Sequence, residues 1–280
     1  MTTLAALVAG AATTILLLRT MGAVLANPVL ERENYRGHRL PTAVGLVLVT
    51  AVVAVDGGRA VLGLVGVGDA ATAPSRLLVL TAVVAFGLLG LLDDLLGDAH
   101  DRGLAGHVRA ALRGRVTTGF VKLGGGAAVA LVLAGTIVGD RPGRVLLDGA
   151  LVALAANLGN LLDRAPGRTT KWALVAAVPL LWSAGTDATG VALAVVVGSA
   201  AALLWGDLRE RFMLGDTGAN ALGAALGTAT VLEAPEAARD VVVACLLALT
   251  LLSEVVSFSR IIDAVPPLRW FDRLGREVRR

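Results

Sequence analysis

Long apolar runs separated by short polar stretches dominate the chain. Most runs have roughly 16–25 residues, about the length of helix that crosses the hydrocarbon of a bilayer. Because backbone polar groups must be satisfied within lipid, such runs predict α-helices. We therefore expect an all-α, polytopic membrane protein with about nine transmembrane helices, forming a single integral membrane domain over residues 1–280. The predicted spans are residues 3–26, 41–56, 76–96, 116–138, 145–162, 171–184, 188–206, 217–233 and 239–262.

Lys and Arg are unevenly divided between the two sides of these spans. They are concentrated near residues 27–40, 97–115, 163–171 and 207–216 and in the tail 263–280, whereas the alternate loops hold only Arg59, Arg76, Arg141, Arg144 and Arg239. Basic loops favour the cytoplasmic side of a membrane. The first set of loops is therefore predicted to be cytoplasmic, with the N-terminus outside and the C-terminus inside.

Composition supports a membrane protein over a soluble one. The chain is 56% hydrophobic and 17% charged, with a mean hydropathy of +0.76, whereas soluble domains are about 25% charged. A net charge of +3 with few aromatic residues predicts no nucleic-acid surface. The lone Cys245 lies in an apolar run and is expected to pack in the core. The spacing of Gly215, Ala219, Gly223 and Gly227 predicts close helix packing.

Asp93 and Asp94 end an apolar run of membrane length. Carboxylates in that position are costly unless a metal, a cation or water offsets their charge. Adjacent carboxylates also repel each other, and a divalent ion removes that repulsion. This pair is therefore the first candidate for a functional site at the cytoplasmic membrane surface.

A second polar group ends the run 145–162. Asn157, Asn160 and Asp163 lie within about 120° of one another on a helix, so that one face carries two amides and a carboxylate. Such a face could line a phosphate-metal site. The alternative is a cluster of capping and interhelical hydrogen bonds, with Asp163 paired to Arg164 or Arg168 at the surface.

Two further residues complete the candidate site. Asp216 precedes a predicted helix start, where a carboxylate or a bound anion is favoured, and its alternative role is that of a simple N-cap. Lys122 lies just inside the fourth span, before a flexible run at residues 124–126, and could bind phosphate or instead extend to the membrane interface. Separated segments thus deliver these groups to one membrane face, where a helical bundle could bring them together.

In order along the chain, these motifs resemble a known family. The motifs are Asp93-Asp94, Lys122-Leu123, Asn157-x-x-Asn160-x-x-Asp163 and Phe212-Met-x-Gly-Asp216-Thr-Gly, supported by Pro41-Thr42-x-x-Gly45, Glu254-Val-Val-Ser257-Phe258 and Pro267-Leu268. They are similar to those of the polyprenyl-phosphate N-acetylhexosamine-1-phosphate transferases, a family that includes the bacterial phospho-N-acetylmuramoyl-pentapeptide transferases. The resemblance covers roughly residues 30–270 of the chain.

The resemblance implies a membrane-bound phosphoglycosyl transferase. Such an enzyme transfers a sugar 1-phosphate from a UDP-type nucleotide sugar to undecaprenyl phosphate, with Mg²⁺ as cofactor, in the synthesis of peptidoglycan or another cell-envelope polymer. Phosphoryl transfer depends mainly on positioning and charge neutralisation, which suits this set of residues. The expected location is the inner or plasma membrane, with the active site facing the cytoplasm. Membrane lipids are expected partners, nucleic acid is not, and a homodimer is possible.

The resemblance also implies residue roles. Asp216 and Asp163 would be metal ligands, and Asp93 would act as a base or position the acceptor, supported by Asp94. Asp163 would share in catalysis by organising the metal-bound diphosphate. Substrate binding would involve Lys122, Asn157, Asn160 and Arg269, the last of these through its guanidinium.

The chain also departs from the family pattern. The third motif commonly continues as Asp-Gly-x-Asp-Gly, but here Pro166 replaces the second Asp, and no histidine follows Pro267-Leu268. These departures favour an alternative, a catalytically silent relative that binds lipid phosphate or acts as an envelope-synthesis scaffold. A transporter is disfavoured because its charges would be expected near the midplane. His100, Asp101 and His107 could bind a metal but are more typical of an exposed loop.

Overall fold

The computed structural model describes residues 2–68, 71–97 and 117–277, and almost all of this part of the chain is helical. The helices are α1 Thr3–Thr20, α2 Gly22–Leu25, α3 Gly45–Leu64, α4 Pro74–Leu96, α5 Thr118–Val138, α6 Pro142–Leu162, α7 Arg168–Ala184, α8 Ala188–Leu208, α9 Gly215–Glu233, α10 Glu236–Val255, α11 Phe258–Ala264 and α12 Pro266–Arg273. A 3₁₀ turn at Pro28–Leu30 leads into a short antiparallel hairpin, β1 Glu31–Glu33 and β2 Arg39–Pro41, inside the region predicted as a loop.

The predicted architecture of a polytopic helical membrane protein agrees with this structure. Seven of the nine predicted spans each coincide with one helix, and the first and last are each divided between two helices. Within the described residues, six helices are long and apolar enough to cross a membrane, namely α1, α3, α4, α5, α6 and α8. A seventh span results if α10 and α11, which meet at a 96° bend, count as one. The number nine and the predicted orientation stay predictions.

Buried ion pairs explain why several helices extend beyond the predicted spans. The sequence predicts that a span ends at Asp56, but α3 continues to Leu64. The Asp56 carboxylate can lie within the helix because it accepts a hydrogen bond from Arg76 at the start of α4. Likewise, α6 begins before residue 145, where Arg144 pairs with Asp148 inside the helix. Charges that are paired in this way can lie within a packed bundle.

Helix α9 lies at the centre of the bundle. Most of its residues are buried, and it packs against α3, α4, α6, α7 and α8. A side chain at Gly223 or Gly227 would collide with α6 at Ala155 or Val152, which confirms the predicted close packing. Because α9 faces protein on most sides, it consists largely of Gly and Ala rather than the larger apolar residues that face lipid.

Four sequence expectations are corrected. The first predicted span is divided between α1 and α2, and the last is broken by the bend between α10 and α11. Cys245 is exposed on α10 rather than packed in the core. The glycine run at residues 124–126 is continuous helix, and Gly125 and Gly126 pack against Leu89 and Phe86 of α4.

Candidate active site

Four helix ends carry the acidic, basic and amide side chains that make up the candidate site. Asp93 and Asp94 lie in the last turn of α4, and Lys122 lies near the start of α5. Asn160 lies in the last turn of α6, and Asp216 in the first turn of α9. Because α4, α5 and α6 pack around α9, groups that are far apart in sequence meet at one end of the bundle.

Lys122 is the centre of this cluster. Its Nζ donates a hydrogen bond to Oδ2 of Asp93 over 2.8 Å and a second to Oδ2 of Asp216. The Asp93 and Asp216 carboxyls are also within hydrogen-bonding reach of each other. The three side chains are 18%, 21% and 25% exposed for Lys122, Asp93 and Asp216, so the cluster is shielded but open on one side. This contact excludes simple extension of Lys122 to the membrane interface.

Asn160 and Asp163 approach the same cluster from α6. Nδ2 of Asn160 donates to Oδ2 of Asp216 over 3.2 Å. Asp163 follows the last residue of α6, where its backbone N–H donates to the carbonyl of Asn160. Burial raises the pKa of Asp163 well above its ordinary value, and the carboxylates of Asp207, Asp216 and Asp94 raise it further. Asp163 is therefore close enough to these carboxylates for their negative charges to raise its pKa.

Asp94 has a different environment from its neighbour Asp93. Its Oδ1 accepts a hydrogen bond from the backbone N–H of Asp216 over 3.0 Å, and its Oδ2 accepts from the N–H and the hydroxyl of Thr217 at 2.9 and 2.6 Å. The first residues of α9 have no side-chain cap of their own. Asp94 therefore caps α9 from α4 and satisfies N–H groups that would otherwise lack partners.

The segment that enters α9 is held in place by the segment that enters α3. The N–H of Met213 donates to the carbonyl of Pro41 over 2.8 Å, and the N–H of Gly45 donates to the carbonyl of Leu214 over 2.8 Å. Gly215 has a φ of 75°, and a side chain there would meet the backbone of Ala43 and the Asp94 carboxylate. The motif around Pro41 and Gly45 thus positions Asp216 through backbone contacts.

The donor set fits a divalent cation in its chemistry. Carboxylate and amide oxygens are the ligands that Mg²⁺ prefers, and Mg²⁺ is usually held by one or two carboxylates together with substrate phosphates. Across the described ranges 2–68, 71–97 and 117–277, no three His, Cys, Asp or Glu side chains are gathered in an arrangement that could hold a metal ion. The one or two carboxylates that the cluster offers are compatible with a metal that arrives with a diphosphate.

Two predicted substrate-binding residues lie apart from the cluster. Nδ2 of Asn157 donates to the hydroxyl of Thr250 on α10 over 3.4 Å, as in the alternative of an interhelical hydrogen bond. Arg269 is exposed on α12, and its guanidinium contacts the backbone carbonyl of Asp263 over 3.3 Å. Arg168, one of the two arginines named as alternative partners of Asp163, instead forms an ion pair with Asp272. His100, Asp101 and His107 lie outside the described residues.

Two residues in contact with the site were not singled out from the sequence. The Thr217 hydroxyl and N–H both donate to Asp94, and the available signal was a hydroxyl residue directly after Asp216 at the predicted helix start. Nη2 of Arg32 donates to the backbone carbonyls of Asp94 and Leu95 over 2.8 and 3.1 Å, and so caps the end of α4. Arg32 was interpreted only as a topology signal, since nothing in its local sequence indicates this contact.

A comparison with known proteins finds a similar membrane-enzyme sequence. The chain is 27% identical over 246 residues to a phospho-N-acetylmuramoyl-pentapeptide-transferase of Heliobacterium modesticaldum, which covers 82% of this chain and 74% of the relative. No protein-family model matches the chain. The similarity confirms the resemblance inferred from the motifs, at the level expected of a divergent member of that transferase family.

Proposed function

Since the chain is a distant homologue of a phospho-N-acetylmuramoyl-pentapeptide-transferase, we propose that it transfers a sugar 1-phosphate from a nucleotide sugar to undecaprenyl phosphate. The observation that carries this proposal is the contact of Lys122 with both Asp93 and Asp216, together with Asn160, at one end of the bundle. A lipid phosphate acceptor is consistent with a site that lies where membrane-length helices end. In the cell, this reaction belongs to cell-envelope polymer synthesis at the cytoplasmic face of the membrane.

In the proposed reaction, an oxygen of the lipid phosphate attacks the phosphorus attached to the sugar, and the nucleoside monophosphate leaves. Lys122 can exchange its carboxylate partners for oxygens of the incoming diphosphate, which neutralises their charge. Asp93 then becomes free to orient the acceptor phosphate and to accept its remaining proton. Asn160 donates from the opposite side and fixes the position of Asp216.

Asp216 and Asp163 would hold Mg²⁺, with diphosphate oxygens completing its coordination. A bound Mg²⁺ would supply charge neutralisation on the diphosphate. Asp94 contributes indirectly, because it fixes the start of α9 and thereby the position of Asp216. Its two oxygens are already engaged by α9, so it is a positioning residue rather than a group that contacts substrate.

The test is turnover by the purified protein in detergent with undecaprenyl phosphate, Mg²⁺ and a panel of nucleotide sugars. Mass spectrometry should detect a lipid-linked sugar diphosphate and an equal amount of nucleoside monophosphate. We expect Asp216→Asn to lower the turnover at least about 100-fold, as for the loss of a charged group that acts in the transition state. The matched control is Asp187→Asn, because Asp187 caps α8 and Asn is an equally good cap.

A second candidate function is lipid-phosphate binding without catalysis. It is favoured by Pro166, which replaces the second Asp of the third motif, and by the lack of a histidine after Pro267-Leu268. Binding of undecaprenyl phosphate by a folded protein that turns over none of the nucleotide sugars would support this candidate. That result, or an Asp216→Asn variant as active as the wild type, would contradict the transferase proposal.

A further inference from the structure

An exposed tryptophan at the end of α8 is stacked by two arginines. The guanidinium carbons of Arg209 and Arg211 each lie 4.1 Å from the centre of the Trp205 ring. Trp205 is 50% exposed and lies close to the end of α8, a helix that is long and apolar enough to span a membrane. Tryptophan is typical of the interface between hydrocarbon and headgroups, so the two arginines lie where lipid headgroups would be.

The turn after α8 is built to place both arginines on one ring. Glu210 has a φ of 51°, in the left-handed region that residues other than Gly seldom adopt. Its carboxylate accepts a hydrogen bond from Nδ2 of Asn34 over 2.8 Å and pairs with Arg36 at 3.2 Å. With Glu210 held in this conformation, the residues on either side of it are directed to the same indole.

The two guanidinium groups keep their N–H edges available. Among the ion pairs and side-chain hydrogen bonds of the described residues, neither Arg209 nor Arg211 has a partner. Other basic residues are paired, including Arg144, Arg168, Arg239 and Arg276. Stacking occupies the face of a guanidinium and leaves its edge free to bind a phosphate group. Each free edge can bind an oxygen of a phosphodiester.

An apolar groove begins at Arg211. A cavity of about 360 Å³ is lined by Arg211, Trp205 and Phe212 at its polar end and by Leu18, Leu25 and Val44 beyond them. It lies where α1, α2 and α8 meet the start of α3. The combination of paired cationic edges with an adjoining apolar groove matches a lipid, whose charged headgroup and acyl chain need both surfaces.

We propose that this groove binds an anionic glycerophospholipid, with its phosphodiester at Arg209 and Arg211 and part of an acyl chain in the groove. Charge complementarity favours an anionic lipid over a zwitterionic one, since the ammonium group of a zwitterionic headgroup would be repelled by two unpaired cations. None of the described contacts of Arg209 or Arg211 involves the cluster around Lys122. The proposal therefore does not rest on the proposed transferase activity.

The experiment is native mass spectrometry of the purified full-length protein exchanged into mixed micelles of phosphatidylglycerol and phosphatidylcholine. We expect the wild type to retain phosphatidylglycerol in preference to phosphatidylcholine. The double variant Arg209→Gln/Arg211→Gln should lose that retention about tenfold or more, as expected for the loss of charge-assisted hydrogen bonds. The single variant Arg211→Gln, at an exposed position, keeps the test valid if the double variant does not fold.

The charge-matched control is Arg39→Gln/Arg273→Gln, which removes two cations whose side chains are 64% and 65% exposed. It should retain phosphatidylglycerol as the wild type does. Soluble glycerol phosphate should not displace the lipid, because it has no acyl chain to fill the groove. The proposal is overturned if both lipids are retained equally, if the arginine variants match the wild type, if undecaprenyl phosphate displaces the lipid equally well, or if a second copy of the chain seals the groove.

Discussion

Replacing Lys122 by Gln tests whether the carboxylates of the candidate site depend on a cation. The Lys122 ammonium lies between Asp93 and Asp216, which approach within hydrogen-bonding reach of each other. Gln keeps a similar length and a hydrogen-bond donor but removes the charge. The two carboxylates would then repel each other with no ammonium between them.

The expected cost follows from the exposure of these side chains. Removing one partner of a fully buried ion pair costs about 3–5 kcal/mol, whereas an exposed pair contributes about 0–1 kcal/mol. The side chains of Lys122, Asp93 and Asp216 are 18–25% exposed and so lie between these limits. We expect the free energy of unfolding of Lys122→Gln to fall by about 2 kcal/mol in the absence of Mg²⁺.

Mg²⁺ should restore most of this loss. A ligand that binds only the folded state stabilises it by about 2.7 kcal/mol when present at about 100 times its Kd. Because a divalent cation held at Asp216 can offset the repulsion that the missing ammonium leaves between Asp216 and Asp93, Mg²⁺ should stabilise Lys122→Gln more than the wild type. Activity should still be lost, since the phosphate partner is absent.

The assay is thermal unfolding in one detergent, followed by tryptophan fluorescence, with EDTA or with saturating Mg²⁺. The control is Arg273→Gln, which breaks an exposed pair with Asp263 and should change stability by less than about 0.5 kcal/mol. If Lys122→Gln matches this control in EDTA, the ion pairs do not stabilise the fold. If Mg²⁺ stabilises both proteins equally, the cation does not bind at Asp216.

Three further substitutions test separate parts of the site. Asp163→Asn should stabilise the Mg²⁺-free protein increasingly as pH rises from the ordinary value of 3.8 to the raised pKa of Asp163, by a constant amount above that pKa, and not at all below 3.8; a pH-independent difference in unfolding temperature would contradict this. Burial raises the pKa of Asp272, but the Arg168 hydrogen bond and the charge of Arg276 outweigh it, so the pKa is lowered. Asp272→Asn should therefore lower the free energy of unfolding by about 3 kcal/mol near neutral pH, and this difference should shrink as pH falls below 3.8. Equal stability of variant and wild type at neutral pH would show that the buried pair contributes nothing. Asp94→Asn should lower the unfolding free energy by about 1 kcal/mol, because both Asp94 oxygens accept hydrogen bonds from α9 and an amide has only one acceptor oxygen. Its loss of activity should be smaller than that of Asp216→Asn; an equal loss of activity would place Asp94 among the substrate contacts.

The sequence predicted the helices well because apolar length is a direct requirement of a bilayer. It predicted their ends poorly where a charge is paired across two helices. Asp56 has its partner Arg76 on the next helix, and no local pattern distinguishes this buried Asp from one that ends a span. The bend after Val255 is a similar case, since neither Gly nor Pro marks it.

The candidate site was predictable as a set but not in its internal arrangement. Asn157 and Asn160 lie on the same helix, yet the first contacts α10 and the second contacts α9. Their directions depend on which helices pack on either side of α6, and that is decided by residues distant in sequence. Periodicity gives the relative angle of two side chains but not the neighbour that each one meets.

Asp93 and Asp94 show that the packing of neighbouring helices determines the role of each residue. Consecutive side chains on a helix point about 100° apart, so Asp93 and Asp94 must face different neighbours. Asp93 faces Lys122 of α5, and Asp94 faces the start of α9. The second contact requires α9 to approach α4 closely, and a side chain at Gly90 would collide with the backbone of Asp216. A glycine one turn before Asp94 therefore sets the distance between α4 and α9, and through it the distance between the two carboxylates that Lys122 joins.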